Sequence, residues 1–274
     1  PHESFAGTVA EHRRLMRVEQ LSGGVRLYLG DCREVLPTFE SKSADLVAQD
    51  PPYEKHMHDA KSGKGNSTAT KQIAALDFSS IDEPTRDFIC RELQRISQGW
   101  SLTFCTPEGV RSWRDAIEAA GARYKRACVW YKPDATPQLN GQGPGMGAEM
   151  FCSAWHGTGF SKWNGGGRLG HFTHNTHSRE REGTHPTEKP LSLMLELVEL
   201  FSNPGDLVLD PFMGSGTTGV ACARRARRFV GVEISEKYFD IACRRISAAL
   251  RQGDLFIAPP PKAKQPSLFA KGKA

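Results

Sequence analysis

The stretch Leu46–Tyr53 reads LVAQDPPY. A short apolar run suited to a buried strand stops at an acid, two prolines and a tyrosine, and few folds accommodate such a stop. Neither proline has an N–H, both fix φ, and Pro52 pushes Pro51 towards an extended backbone, so the strand ends in a stiff lip. The Pro51 carbonyl is then free of local helix, the ionised Asp50 side chain only accepts hydrogen bonds, and Tyr53 adds a flat ring. Two acceptors beside a stacking platform suit an amino group on a planar base. A strand that simply ends in a proline-rich turn is the other reading of the same residues.

The 274 residues are long for one domain and short for two, which favours one large α/β domain with insertions. Hydrophobic residues make up 38% and charged residues 24%, as in ordinary soluble globular chains. No apolar run is long enough to span a bilayer and the N-terminus carries no secretory pattern, so a cytoplasmic, nucleoid-associated protein with no membrane partner is expected. Seven cysteines without a C-x-x-C pair point away from a disulfide framework and from a thiolate metal site. The formal charge of +5 is too mild to name a polyanionic partner by itself. The arginines at 224, 225, 227 and 228 read as a solvated helix face.

Residues 1–24 read as an N-terminal extension with a helix from Val9 to Gln20. From Val25 a short alternating strand breaks at Gly30-Asp31-Cys32, runs through Val35, Leu36 and Phe39, and leads into LVAQDPPY. This is a βαβ unit with an acid at the end of each strand, where open α/β sheets bind ligands. The polar stretch 54–71, with Lys55, Lys61 and Lys64, has no periodicity; it reads either as a loop over the site or as plain disorder. Regular alternation follows: a helix over Asp82–Gln98, a strand at SLTFC, a helix over Glu108–Ala120, a strand at ACVWYK and another over Glu149–Trp155.

Residues 157–184 lack hydrophobic periodicity but carry Trp163, Arg168, His171, His174, His177, Arg179 and Arg181 in a glycine-rich setting. Such a segment fits nucleic-acid contact, and a surface loop is the alternative. The three histidines have no partner Cys or carboxylate at ligand spacing, so no metal site is assigned.

A second motif lies far downstream. The strand Leu207–Leu209 ends in Asp210 and is followed by Pro211, Phe212, Met213, Gly214, Ser215, Gly216, Thr217 and Thr218, then by a helix. Two glycines among small hydroxyl residues let a backbone approach a ligand closely at a helix N-terminus. No Gly-Lys-Ser/Thr is present, which removes the phosphate-cradling loop. The next strand, Phe229–Val232, ends at Glu233, placed to accept hydrogen bonds from ribose hydroxyls.

Together these residues resemble the amino-group DNA methyltransferases that use S-adenosylmethionine. The resemblance spans roughly residues 25–250 and rests on DPPY at 50–53 and DPFMGSGTT at 210–218, supported by GDC at 30–32 and HPTEKP at 185–190. With the DPPY half first, the order is similar to that of the circularly permuted β group. The resemblance implies a Rossmann-like α/β fold, a mostly parallel sheet with one antiparallel strand and helices on both faces, as a single domain over 25–250. It also implies that Asp31 and Cys32 meet the adenine of S-adenosylmethionine and that Glu233 holds the ribose. The methionine part would be surrounded by Asp210, Pro211, Phe212, Gly214, Ser215, Gly216 and Thr217 and by His185, Thr187 and Lys189.

In the same scheme a base of double-stranded DNA is flipped out and held by Asp50, Pro51, Pro52 and Tyr53. Asp50, where many cytosine-N4 enzymes of the family have serine, favours N6 of adenine; N4 of cytosine and an inactive DNA-binding relative are the alternatives. Relatives often dimerise, which makes a homodimer a candidate assembly. In the basic tail 251–274, Gln265–Phe269 resembles the short peptide that docks on the bacterial sliding clamp, a candidate partner.

Overall fold

A computed structural model describes residues 17–52, 81–176 and 188–253. Nine strands form one sheet in those segments, in the order β1-β2-β9-β8-β3-β4-β6-β5-β7. They are β1 (Arg17–Leu21), β2 (Val25–Leu29), β3 (Ala44–Gln49), β4 (Ser97–Cys105), β5 (Arg123–Tyr131), β6 (Ala148–Trp155), β7 (His171–Thr173), β8 (Leu207–Asp210) and β9 (Arg228–Glu233). The helices are α1 (Cys32–Val35), α2 (Glu83–Ile96), α3 (Val110–Ala119), α4 (Leu191–Phe201), α5 (Thr217–Arg224) and α6 (Glu236–Gly253). None is long and apolar enough to cross a membrane.

Strands β2, β9, β8, β3 and β4 run parallel, so their C-terminal ends share one edge. Both β6 and β1 run against them, one more antiparallel strand than expected. The cause of the second is local. Residues 22–24 make a tight turn with Gly23 and Gly24 at φ 67° and 73°, which folds β1 back on β2 as a hairpin. Residues 17–20 are therefore strand and not the end of a helix, and the domain begins before Val25; residues 9–16 lie outside the described residues.

Side-chain alternation along β3 and β4 builds two cores. Leu46, Ala48, Trp100, Leu102 and Phe104 pack with α4, α5 and α6 on one face. Val47 and Cys105 pack with α1, α2 and α3 on the other. A register irregularity between Ala44 and Leu46 lets Ala44 join the second core, and it requires Gly99 opposite, where a Cβ would lie 1.8 Å from the Asp45 carbonyl oxygen.

Helix starts follow their caps. Asp82 accepts a hydrogen bond from the Thr85 N–H at 3.0 Å, with a proline in the first turn of α2. The α4 sequence LSLMLELVELF buries Leu191, Leu193, Met194, Leu197, Val198 and Phe201. One member of the arginine cluster departs from the solvated reading. Arg227 is 6% exposed and donates through Nε and Nη2 to the Ser202 hydroxyl and carbonyl.

Candidate active site

Four acids stand at the C-terminal edge of four adjacent parallel strands: Asp31 after β2, Glu233 on β9, Asp210 on β8 and Asp50 after β3. Alignment of the strand ends puts them there. Leu29 is level with Glu233, and Gly30 N–H donates to the Glu233 carbonyl at 2.9 Å.

The glycine turn is held from inside. Phe212 N–H and the Thr218 hydroxyl donate to the two Asp210 carboxylate oxygens at 3.0 and 2.6 Å, so this acid ties the turn to α5. Glu233 accepts from Gly214 N–H at 2.9 Å and Ser235 N–H at 2.8 Å. Gly214 and Gly216 take φ of 52° and 85°, a region that glycine enters without a Cβ penalty. Glu188 and Arg245 form a buried ion pair over the turn. Arg245 donates to the Ser215 carbonyl at 2.8 Å, and Glu188 accepts from the Thr217 hydroxyl at 2.9 Å.

Burial drives Asp210 up to about 7, with Asp50 and Glu233 adding to the rise and hydrogen bonds from Thr218 and Phe212 opposing it. Burial raises Glu233 as well. Asp31 caps α1, accepting from Arg33 N–H at 2.8 Å, and the Arg33 guanidinium holds its carboxyl below the usual range. Cys32 is buried, and that burial pushes its thiol up to about 12.

Asp50 meets a lysine from the HPTEKP segment. Lys189 Nζ donates to Asp50 Oδ2 at 2.5 Å and lies 3.3 Å from Glu149 Oε2. Glu149 in turn is bonded to Lys132. These charges alternate in sign along a chain of side chains, and the Lys189 side chain is only 8% exposed. Asp50 is 29% exposed as a side chain, yet its Oδ1 is out of solvent and has no hydrogen-bond partner among the described residues. Burial raises the Asp50 carboxyl, the nearby Lys189 ammonium opposes this, and Glu149 adds to it.

The residues expected at 157–184 divide. Strand β6 runs away from the site, and Trp155 pairs with Trp100 and Arg123 at the opposite edge of the sheet. The chain turns there, and Trp163 packs on Phe201 at the end of α4, 5.5 Å between rings. Asn164 donates to the Glu199 and Ser202 carbonyls, closing that helix. Trp163, expected among the DNA contacts, packs there at the end of the sheet opposite Asp50. Arg168 and His174 are both bound to Glu196 of α4, and His171 is exposed on β7.

Tyr53, Lys55, Lys61, Lys64, Arg179, Arg181, His185 and Thr187 lie outside the described residues, as do the whole of the loop 54–71 and Gln265–Phe269. Sequence reasoning missed Glu149, Lys132, Glu188 and Arg245. For Glu149 a signal existed, an acid opening an otherwise apolar strand.

The family described as DNA methylase matches residues 112–244, a span containing the glycine turn, Lys189 and Glu233. Over that span the chain is similar to the N6/N4 DNA methylases. The chain is 26% identical over 274 residues to the type II methyltransferase M.Cfr9I of Citrobacter freundii, covering 85% of this chain and 91% of that protein. It is 27% identical over 253 residues to the type II methyltransferase M.HinfI of Haemophilus influenzae, covering 79% and 67%. In fold it is similar to the M1.HpyAVI–SAM complex, with a TM-score of 0.62, 24% identity, and coverage of 80% of this chain and 97% of that chain.

Proposed function

We propose that the protein transfers a methyl group from S-adenosylmethionine to N6 of an adenine flipped out of double-stranded DNA. The observation that carries this reading is the Asp50 carboxylate, anchored through Oδ2 and unpartnered at Oδ1 among the described residues, one strand away from the glycine turn. An aromatic amine is a poor nucleophile because its lone pair is delocalised into the ring. Hydrogen bonds from its N–H groups to Asp50 Oδ1 and the Pro51 carbonyl favour a pyramidal nitrogen with its lone pair aimed away from the ring plane. No covalent intermediate on the protein is required.

The site suits S-adenosylmethionine for two reasons. No described residue lies within 4 Å of where a Gly214 Cβ would stand, so a ligand can approach the backbone there. Burial raises the carboxyl of Asp210, with Asp50 and Glu233 adding to the rise, and this group of acids favours a ligand carrying positive charge. When bound, the sulfonium supplies an electrophilic methyl group. The similar solved structure in complex with SAM supports the same cofactor. The chain order, DPPY strand before glycine turn, supports assignment to the permuted β group.

Incubating the protein with methyl-labelled cofactor and mixed-sequence DNA, then digesting to nucleosides, tests the reading. Label in N6-methyladenine is the expected result; label in N4-methylcytosine or in neither overturns it.

A pH dependence of cofactor binding follows from Asp210. A positively charged ligand prefers the ionised carboxylate, whose population in the free protein grows as pH rises through about 7. Cofactor affinity by calorimetry is therefore expected to rise between about pH 6 and 8 and to level off above, and Asp210→Asn should flatten this slope. An affinity independent of pH in the unmodified protein would refute the coupling.

A further inference from the structure

The resemblance places Lys189 with the cofactor, but its ammonium lies on Asp50. We propose that Lys189 is a positioning residue for the transfer step: it keeps the Asp50 carboxylate ionised and fixes its Oδ2, leaving Oδ1 as the acceptor for the target amino group. This deepens the proposed function and rests on it.

Three observations carry the inference. First, Lys189 reaches Asp50 across 139 residues of sequence with a 2.5 Å hydrogen bond, and the lysine is nearly excluded from solvent. An ammonium held there contributes more than a surface pair would. Second, its surroundings fix its position. Pro190, buried beside it, is the N-cap of α4, Phe104 of β4 presents its ring 5.0 Å from Nζ, and the Glu149 carboxylate of β6 lies 3.3 Å away. Third, Lys189 offsets much of the negative charge around Asp50. The charged groups near Asp50 are Lys189 before α4, Glu149 on β6, Lys132 after β5 and Asp210 on β8. Without Lys189, three carboxylates would share one lysine, and a buried carboxylate in that position takes up a proton. A protonated Asp50 would carry a donor where the amino group needs an acceptor.

The test uses the full-length protein and Lys189→Met. Infrared difference spectra, recorded without DNA or cofactor, read the protonated-carboxyl band directly. In K189M at neutral pH a new band is expected, absent from the unmodified protein and lost again in the double variant Asp50→Asn/Lys189→Met. The acidic limb of kcat should move up by about one to three pH units, with activity recovering at high pH. Cofactor affinity should change by less than about threefold, because the lysine acts on the acceptor side. If K189M does not fold, Lys189→Gln is read in the same way.

Three results would overturn the proposal. One is a K189M spectrum identical to that of the unmodified protein. Another is a band that survives in the double variant, which would assign the proton to Glu149. The last is a kcat lowered equally at every pH. The infrared readout is independent of methyl transfer, so failure of the proposed reaction and failure of this inference are distinguishable.

Discussion

Asp50→Ala is expected to lower methyl transfer to DNA by about 10³-fold, while cofactor binding stays within about threefold of the unmodified protein. The asymmetry follows from the geometry. Asp50 follows β3, and the turn of Gly214 and Gly216 follows β8, so removing one carboxylate takes nothing from the hydrogen bonds that hold the turn. Lys189 loses one anion but keeps Glu149 at 3.3 Å, so the fold survives. Single-turnover transfer and equilibrium cofactor binding on the same preparation check this. Activity within about tenfold of the unmodified enzyme would remove Asp50 from its role as acceptor.

Gly216→Ala carries the second large effect, on stability and cofactor binding together. At φ 85° an alanine is strained by about 1–2 kcal/mol. Its Cβ would stand 2.8 Å from Ala242 Cβ and 3.0 Å from Ala242 Cα, on α6 packed behind the turn. Overpacking of that kind costs about 1–3 kcal/mol more, because the Ala242 backbone has to move. A loss of about 2–5 kcal/mol lowers the melting temperature by roughly 4–20 °C in a domain of this size. Gly214→Ala is the control. Its φ of 52° is strained too, but no described residue lies within 4 Å of the added Cβ, so only the backbone term remains. Equal melting temperatures for the two variants would show that contact with α6 contributes nothing.

Much of the fold was legible because its signals are local. The helix at 83–96 repeats its apolar residues at helical spacing, and β8 and β9 are short apolar runs ending in acids. Where local signals compete, reading failed. Arg17–Leu21 is polar enough to pass for helix, and only pairing with β2 makes it a strand. The three-residue β7 has no pattern of its own and exists because β5 offers an open edge. Composition made Trp163 a candidate nucleic-acid contact but did not show that it packs on Phe201 at the other end of the sheet. Arg227 looked solvated within its cluster, and the end of α4 supplies the oxygens that bury it.

In the site itself, the sequence alone determined which chemical groups stand at strand ends: DPPY at 50–53, the glycine turn after Asp210, and Glu233. Each is a strand followed by a special turn, and backbone sterics enforce that within a few residues. The tertiary structure decided which of these groups touch. The Lys189–Asp50 pair and the Glu188–Arg245 clamp join residues 139 and 57 positions apart. Contacts at that separation depend on strand order and on where α4 and α6 dock, which no local pattern encodes. That is why Lys189 reads as a cofactor residue in its motif and stands in the fold as the partner of the acid that opens DPPY.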